Sequence, residues 1–340
     1  MSDDHGRSVV SRPALDGTQW PHAGRLTRHS YDLVVFTVLC GGVGAARLLA
    51  GLVRTVDPAE ITAIVNVGDD VVMHGLHVSP DLDTITYTLA GLHNDATGWG
   101  VVDESWRVMD ELASIGGPTW FRLGDRDLAT HLYRTGRMAE GATLSEVTAE
   151  LVKARDVAVQ VRPATDDRVS TELTSVAGER LSFQEYFVAR HHDVEIRSIE
   201  FVGAGTATAA PGVLSAIERA ERVIVAPSNP LISIDPILAI PGITEAVARR
   251  RSETIAVSPL VAGAALKGPA DRLLRELGNE ASAVGVARHY RDIAATFVID
   301  VLDEPLRDQV EQLGMRCVVT ETVMSDPRRA AALASTVCHG

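Results

Sequence analysis

The stretch FTVLCGGVGAARLLAGL, Phe36 to Leu52, limits the possible folds more than any other part of this 340-residue chain. An apolar run breaks into glycines and resumes with helical spacing, which reads as a strand, a tight turn and a helix whose first free N–H groups can accept an anion. It is not a dinucleotide fingerprint, because Gly42-x-Gly44 is followed by Arg47 where a third glycine should stand. It is not a P-loop either. Arg47 falls in the first helical turn, where the helix dipole disfavours a cation unless an anion or carboxylate shares the site. Gly41, Gly42 and Gly44 also suit a sharp strand-to-helix turn that touches no ligand.

Regular structure is expected to begin near Asp32. LVVFTVL, EITAIVNV, RVIVAP, ETIAVSP, ATFVIDVL and RCVVTETVM read as short buried strands with helices between several of them. That alternation predicts an α/β fold, a Rossmann-like and mainly parallel sheet with helices on both faces, with ligands gathered outside the carboxyl ends of the strands. Residues 1–31 read as a polar N-terminal extension. Residues 32–92 and 198–340 are expected to form the nucleotide-binding core, and 93–197 a mixed helical and irregular insertion that forms a substrate-binding lobe. Trp99, Trp120, Phe183 and Tyr186 in that segment offer stacking surfaces or ordinary core packing.

Carboxylates cluster at two of the strand and helix ends. VNVGDD places Asp69 and Asp70 just beyond a strand, and SPDLDTITYTLAGL places Asp81 and Asp83 at a helix entrance, with Ser79 and Pro80 at N-cap and first-turn positions. A hard divalent ion, Mg2+, would reconcile these four acids with a polyphosphate ligand; helix capping and a solvated acidic loop are the alternative. Asn66 suits either a ligand contact or a strand-end turn. In APSNPLISI, Ser228 and Asn229 can bond a base, sugar or phosphate, and Lys267 can neutralise phosphate charge or stand as a surface cation. Asp125 and Asp127 of GDRD fit a helical first turn better than a metal network, and His131, His191 and His192 lack zinc spacing.

The net charge of −13 disfavours a nucleic-acid surface but leaves room for a small nucleotide pocket. No apolar run reaches the roughly 20 residues of a membrane span, and the first 30 residues show no secretory core, so a cytoplasmic protein without membrane partners is expected. Cys40, Cys317 and Cys338 form neither a metal motif nor a disulfide framework, and Cys40 reads as a small buried strand-end residue.

The ordered set CGGVGAARLLAGL, VNVGDD, SPDLDTITYTLAGL, GDRDLATHL, APSNPLISI and SPLVAGAALKGPAD resembles the 2-phospho-L-lactate transferase family of coenzyme F420 biosynthesis, including its phosphoenolpyruvate transferases. The resemblance runs from about Asp32 to Cys338 and is specific as a combination. It implies a Rossmann-like core and transfer of a phosphoacid moiety from enolpyruvyl- or lactyl-diphospho-5'-guanosine to the 5'-hydroxyl of the deazaflavin Fo. GMP would be released and dehydro-F420-0 or F420-0 formed. It also implies a homodimer. On this resemblance Gly41, Gly42, Gly44 and Arg47 map to the donor phosphates, and Asp69, Asp70, Asp81 and Asp83 to the metal-associated region. Asp69, Asp70 and Asp83 are the catalytic candidates. A nucleotide-sugar-binding regulatory protein without transferase activity is the competing class, and redox chemistry with NAD a weaker third.

Overall fold

The computed structural model describes residues 35–94 and 99–339. Seven strands form one sheet: β1 (Phe36–Cys40), β2 (Ile61–Val65), β3 (Gln160–Pro163), β4 (Arg222–Val225), β5 (Thr254–Val257), β6 (Thr296–Asp300) and β7 (Arg316–Thr320). Their spatial order is β7-β6-β5-β4-β1-β2-β3 and every pairing is parallel. Parallel neighbours need crossovers, and helices supply most of them. Five helices matter below: α1 (Gly42–Leu52), α2 (Pro80–Leu89), α3 (Asp125–Ala139), α4 (Ala270–Glu276) and α5 (Pro327–His339).

The inner strands are largely apolar because helices cover both faces, yet the period of two still sorts their side chains. Val38, Cys40, Ile224, Val257 and Val298 enter the layer that includes α1 and α5. Leu39, Val223, Val225, Ala256, Phe297 and Ile299 enter the opposite layer. Cys40 is fully buried, and its thiol donates to the Ile64 carbonyl at 3.3 Å. Burial, reinforced by the Asp81 charge, pushes that thiol well above its ordinary range, which makes it an inert core group.

All six strands expected from apolar runs are present, most of them shorter than the runs. The seventh, β3, lies within residues 93–197 and pairs with β2 at the sheet edge. Its sequence QVRP is half exposed and contains Arg162 and Pro163, so it lacks the apolar signature of its neighbours. The same span also provides α3 and most of an antiparallel sheet in which Ser170–Ser175 lies between Arg180–Ser182 and Ile196–Val202. No single helix among the described residues is long and apolar enough to cross a membrane.

Candidate active site

The strand order reverses between β1 and β4, and such a switch point leaves a crevice beyond the strand ends. There the chain after β1 meets the chain after β4. Gly41 is the N-cap of α1, and Gly42 follows with φ +71°, a left-handed value that a side chain would oppose. Gly44 is needed for a different reason: a β-carbon there would lie 2.4 Å from the Pro227 carbonyl oxygen, so this glycine lets α1 press against the β4 loop. Ser228 completes the junction, its hydroxyl donating to the Gly41 carbonyl at 2.7 Å.

The N-terminus of α1 already faces a carboxylate. The Gly42 N–H donates to Asp81 Oδ1 at 2.8 Å, and the buried Asn66 donates to Asp81 Oδ2 at 3.0 Å. Asn66 also accepts from the Gly68 N–H at 2.8 Å, so it orients Asp81 from behind and does not itself line the cleft. Ser79 is the N-cap of α2 by position, but its hydroxyl makes no capping bond and instead donates to Asp70 Oδ2 at 2.6 Å. Pro80 occupies the first helical turn as expected.

The charges of Asp69, Asp70 and Asp81 repel one another and are offset in part by Asn66 at Asp69, by Ser79 and Arg134 at Asp70, and by Asn66 and Gly42 at Asp81. Asp69 Oδ1 and Asp70 Oδ1 are buried without a hydrogen-bond partner. Burial pushes both carboxyls well above the usual range, with the Asp81 charge adding to the effect. Burial likewise raises Asp81 to about 6, against the bonds from Asn66 and Gly42. A hard divalent cation would supply charge compensation to these two orphaned oxygens, although among the described residues the acidic and histidine ligand atoms found within 4.8 Å of one another are those of Asp83, Asp127 and His131.

A second acidic group lies beside the first and is already neutralised. Both oxygens of Asp83 accept from the buried Arg134 of α3. Arg134 also donates to His131 Nδ1 at 3.2 Å, which puts the imidazole proton on Nε2, 3.2 Å from Asp127 Oδ1. Tyr87 donates to that same Asp127 oxygen at 2.7 Å. Burial pushes Asp127 up, but the His131 contact, the Tyr87 hydrogen bond and the Arg134 charge outweigh it and hold the carboxyl below the usual range. Ligand atoms of Asp83, Asp127 and His131 lie within 4.8 Å of one another, close enough to share a metal. The Arg134 cation and the Nε2 proton oppose that use. Asp125 behaves as a first-turn acid, accepting from the Ser105 N–H at 2.7 Å, whereas Asp127 turns into the cleft.

These elements bound a cleft of about 790 Å3, within the range of small-molecule and cofactor sites. Of the residues singled out in the sequence, Gly41, Gly42, Gly44, Arg47, Asp69, Asp81, Asp83, Ser228, Asn229 and Lys267 line it, while Asn66 and Asp70 sit behind the wall. Arg47 and Lys267 are exposed, and among the described residues neither forms an ion pair. Asn229 uses Oδ1 to accept from the Leu231 N–H at 3.0 Å, leaving its buried Nδ2 unpartnered. Trp99, Trp120 and Phe183 reach the cleft, but Tyr186 is fully buried and packs in the core. Arg122 and Thr322 also line it, though no sequence signal marked them. Arg122 lies 4.6 Å from the Trp106 ring centre, and Thr322 is fixed by Asp300, which accepts from its N–H at 2.8 Å.

The family model described as 2-phospho-L-lactate transferase CofD matches residues 36–333. The phosphoenolpyruvate transferase of Streptomyces griseus is 44% identical over 302 residues, covering 87% of this chain and 95% of that protein. The phosphoenolpyruvate transferase of Kitasatospora aureofaciens is 44% identical over 315 residues, covering 89% and 98%. The Mycolicibacterium smegmatis phosphoenolpyruvate transferase is 41% identical over 314 residues, covering 87% and 95%. Among solved structures, a UPF0052 family protein from Bacillus halodurans has the same fold, with a TM-score of 0.59 at 16% identity over 91% of this chain and 100% of that one. The chain belongs to the 2-phospho-L-lactate transferase CofD family and is a phosphoacid transferase of coenzyme F420 biosynthesis.

Proposed function

We propose that the chain transfers a phosphoacid moiety from a guanosine diphosphate adduct to the 5'-hydroxyl of Fo and releases GMP. The observation that carries the proposal is the buried Asp69, Asp70 and Asp81 group with its orphaned oxygens beside the glycine turn of a cleft of about 790 Å3. The relatives' names favour enolpyruvyl-diphospho-5'-guanosine as donor and dehydro-F420-0 as product over the lactyl pair. Asp69, Asp70 and Asp81 would hold Mg2+, and the ion would stabilise charge that develops on the transferring phosphoryl group.

The chain's own residues supply the rest. Arg47 and Lys267, both in the cleft lining, would meet the donor phosphates, and Ser228 keeps the glycine turn against the β4 loop. Trp99, Trp120 and Phe183 offer apolar surface that excludes water from the Fo ring. The Fo oxygen forms a bond to the acid-linked phosphorus as the bond from that phosphorus to the GMP oxygen breaks. The hydroxyl proton passes to a carboxylate of the acidic group. No nucleophile–base–orienter set among the cleft residues calls for a covalent enzyme intermediate. The proposal places this reaction in the cytoplasm, on a homodimer by family resemblance.

Incubation of the protein with Fo, Mg2+ and each of the enolpyruvyl, lactyl and phosphoglyceryl donors tests the assignment through product mass and GMP release. GMP should appear in step with a phosphoacid adduct of Fo, fastest with the enolpyruvyl donor. Absence of product with all three, from folded protein that binds its ligands, would overturn it.

A further inference from the structure

One wall of the cleft is a short segment in an unusual conformation. Phe183, Gln184, Phe187, Val188 and His191 all line the cleft, and Glu185–Ala189 between them forms a single π-helical turn closed by the Arg190 N–H donating to the Glu185 carbonyl at 2.9 Å. Such turns are rare and concentrate at functional sites. Phe183 and Phe187 stack with ring centres 5.4 Å apart and planes 20° from parallel, and His192 lies against Phe187 at 5.5 Å. The segment ends in His191 and His192, both left-handed at φ 50° and 46°. Consecutive non-glycine residues in that region persist only where their surroundings hold them.

The holding groups are identifiable at both ends. At the first, Gln184, which is 5% exposed, donates to the Asp69 carbonyl at 3.0 Å and ties the segment to the acidic pocket. At the second, Arg272 of α4 donates to the His192 carbonyl at 2.5 Å. Arg272 does not line the cleft. Its guanidinium is oriented by Glu276, whose other oxygen accepts from the Ile196 N–H at 2.8 Å. The α4 helix begins directly after Lys267, Gly268 and Pro269, which form the neighbouring part of the cleft wall.

We infer that Arg272 and Gln184 are positioning residues that fix the 183–192 segment as a preorganised aromatic wall for the planar ring system of the acceptor. Gln184 sets the wall's register relative to the carboxylates, and Arg272 keeps the two-histidine turn that points His191 into the cleft. This rests on the transferase reading, in which Fo occupies the aromatic side. Preorganisation lowers the cost of ordering on binding, so its loss appears as weaker acceptor binding while donor binding is retained.

The test compares wild type, Arg272→Ala and Arg272→Lys by calorimetric titration with Fo and separately with a guanosine diphosphate ligand. Hydrogen exchange of residues 183–193 is followed in the absence of ligand, and thermal unfolding is recorded for each protein. Arg272→Ala should bind Fo about tenfold or more weakly, the scale of a lost charge-assisted hydrogen bond, and residues 183–193 should exchange faster. Guanosine diphosphate affinity should stay within about twofold, and Arg272→Lys, which keeps a cationic donor, should recover part of the Fo affinity. Gln184→Met should weaken Fo binding in the same direction. Wild-type Fo affinity in folded Arg272→Ala and Gln184→Met, or an equal loss for both ligands, would overturn the wall while leaving the transferase assignment standing. Failure of wild type itself to bind Fo would overturn the acceptor reading and the wall with it.

Discussion

Asp69 is a buried carboxyl with an orphaned Oδ1, pushed above its ordinary range by burial and by the Asp81 charge, and this sets apart the effects of mutating it. Asp69→Asn keeps the shape and removes the ionisable group, so the magnesium-free protein should unfold at a higher temperature near neutral pH, by about 1–2 °C for each kcal/mol of repulsion and desolvation relieved. The same variant should lose transfer activity by about tenfold or more and respond weakly to Mg2+. Asp127→Asn should do the reverse: it removes a carboxylate already matched by Tyr87 and His131, so it lowers the unfolding temperature and leaves the Mg2+ dependence in place. A calorimetric scan and a Mg2+ titration of turnover check both; if Asp127→Asn abolishes the Mg2+ response and Asp69→Asn does not, the ion belongs with Asp83, Asp127 and His131. The four acids of the two early motifs were legible from their position at strand and helix ends. Their division into a vacant pair of oxygens and an ion-paired network was not, because Arg134 lies 51 residues beyond Asp83 and nothing local links them.

The glycine turn and α1 behave as one element. Gly44→Ala places a methyl group against a backbone carbonyl that no rotamer change can move, and the expected loss of stability is about 1–3 kcal/mol, measured by denaturant unfolding. Arg47→Ala, on the exposed side of the same helix, should leave unfolding unchanged and weaken donor binding about tenfold, with Fo binding changed less. Equal donor affinity in folded Arg47→Ala protein would remove Arg47 from the phosphate site. The acidic loop adds a pH signature. A carboxyl whose folded pKa lies above its unfolded value holds its proton more tightly when folded, so the magnesium-free protein should lose stability as pH rises from about 4 through Asp81's value of about 6 and beyond. Mg2+ should therefore raise the unfolding temperature more at about pH 7.5 than at about pH 5. An equal Mg2+ effect at both pH values would place the ion elsewhere. The parallel strands were legible because burial on both faces demands continuous apolar runs. β3 was hidden by its polar edge position, and the capping role expected of the Ser79 hydroxyl gave way to Asp70, a partner only the folded loop supplies.

At the scale of the whole molecule, the sheet order brings four distant loops to one crevice, which confines the site of a net acidic chain to one place. The parallel α/β layering followed from the βα alternation, whereas the strand order emerged only from the folded sheet. The contributions of Arg122, Thr322 and the 183–192 wall did not follow, because each depends on where a loop lands. The central claim is direct attack by the acceptor oxygen on the acid-linked phosphorus in this crevice. The most direct measurement is transfer from the enolpyruvyl donor to Fo carrying a heavy-oxygen label at its 5'-hydroxyl, with the products separated and weighed by mass spectrometry. The label should be found entirely in the phosphoacid adduct of Fo, and the released GMP should carry none. A guanylylated Fo product formed with release of the phosphoacid would show attack at the other phosphorus, and label in GMP would show cleavage of the Fo C5'–O bond; either result would contradict the account.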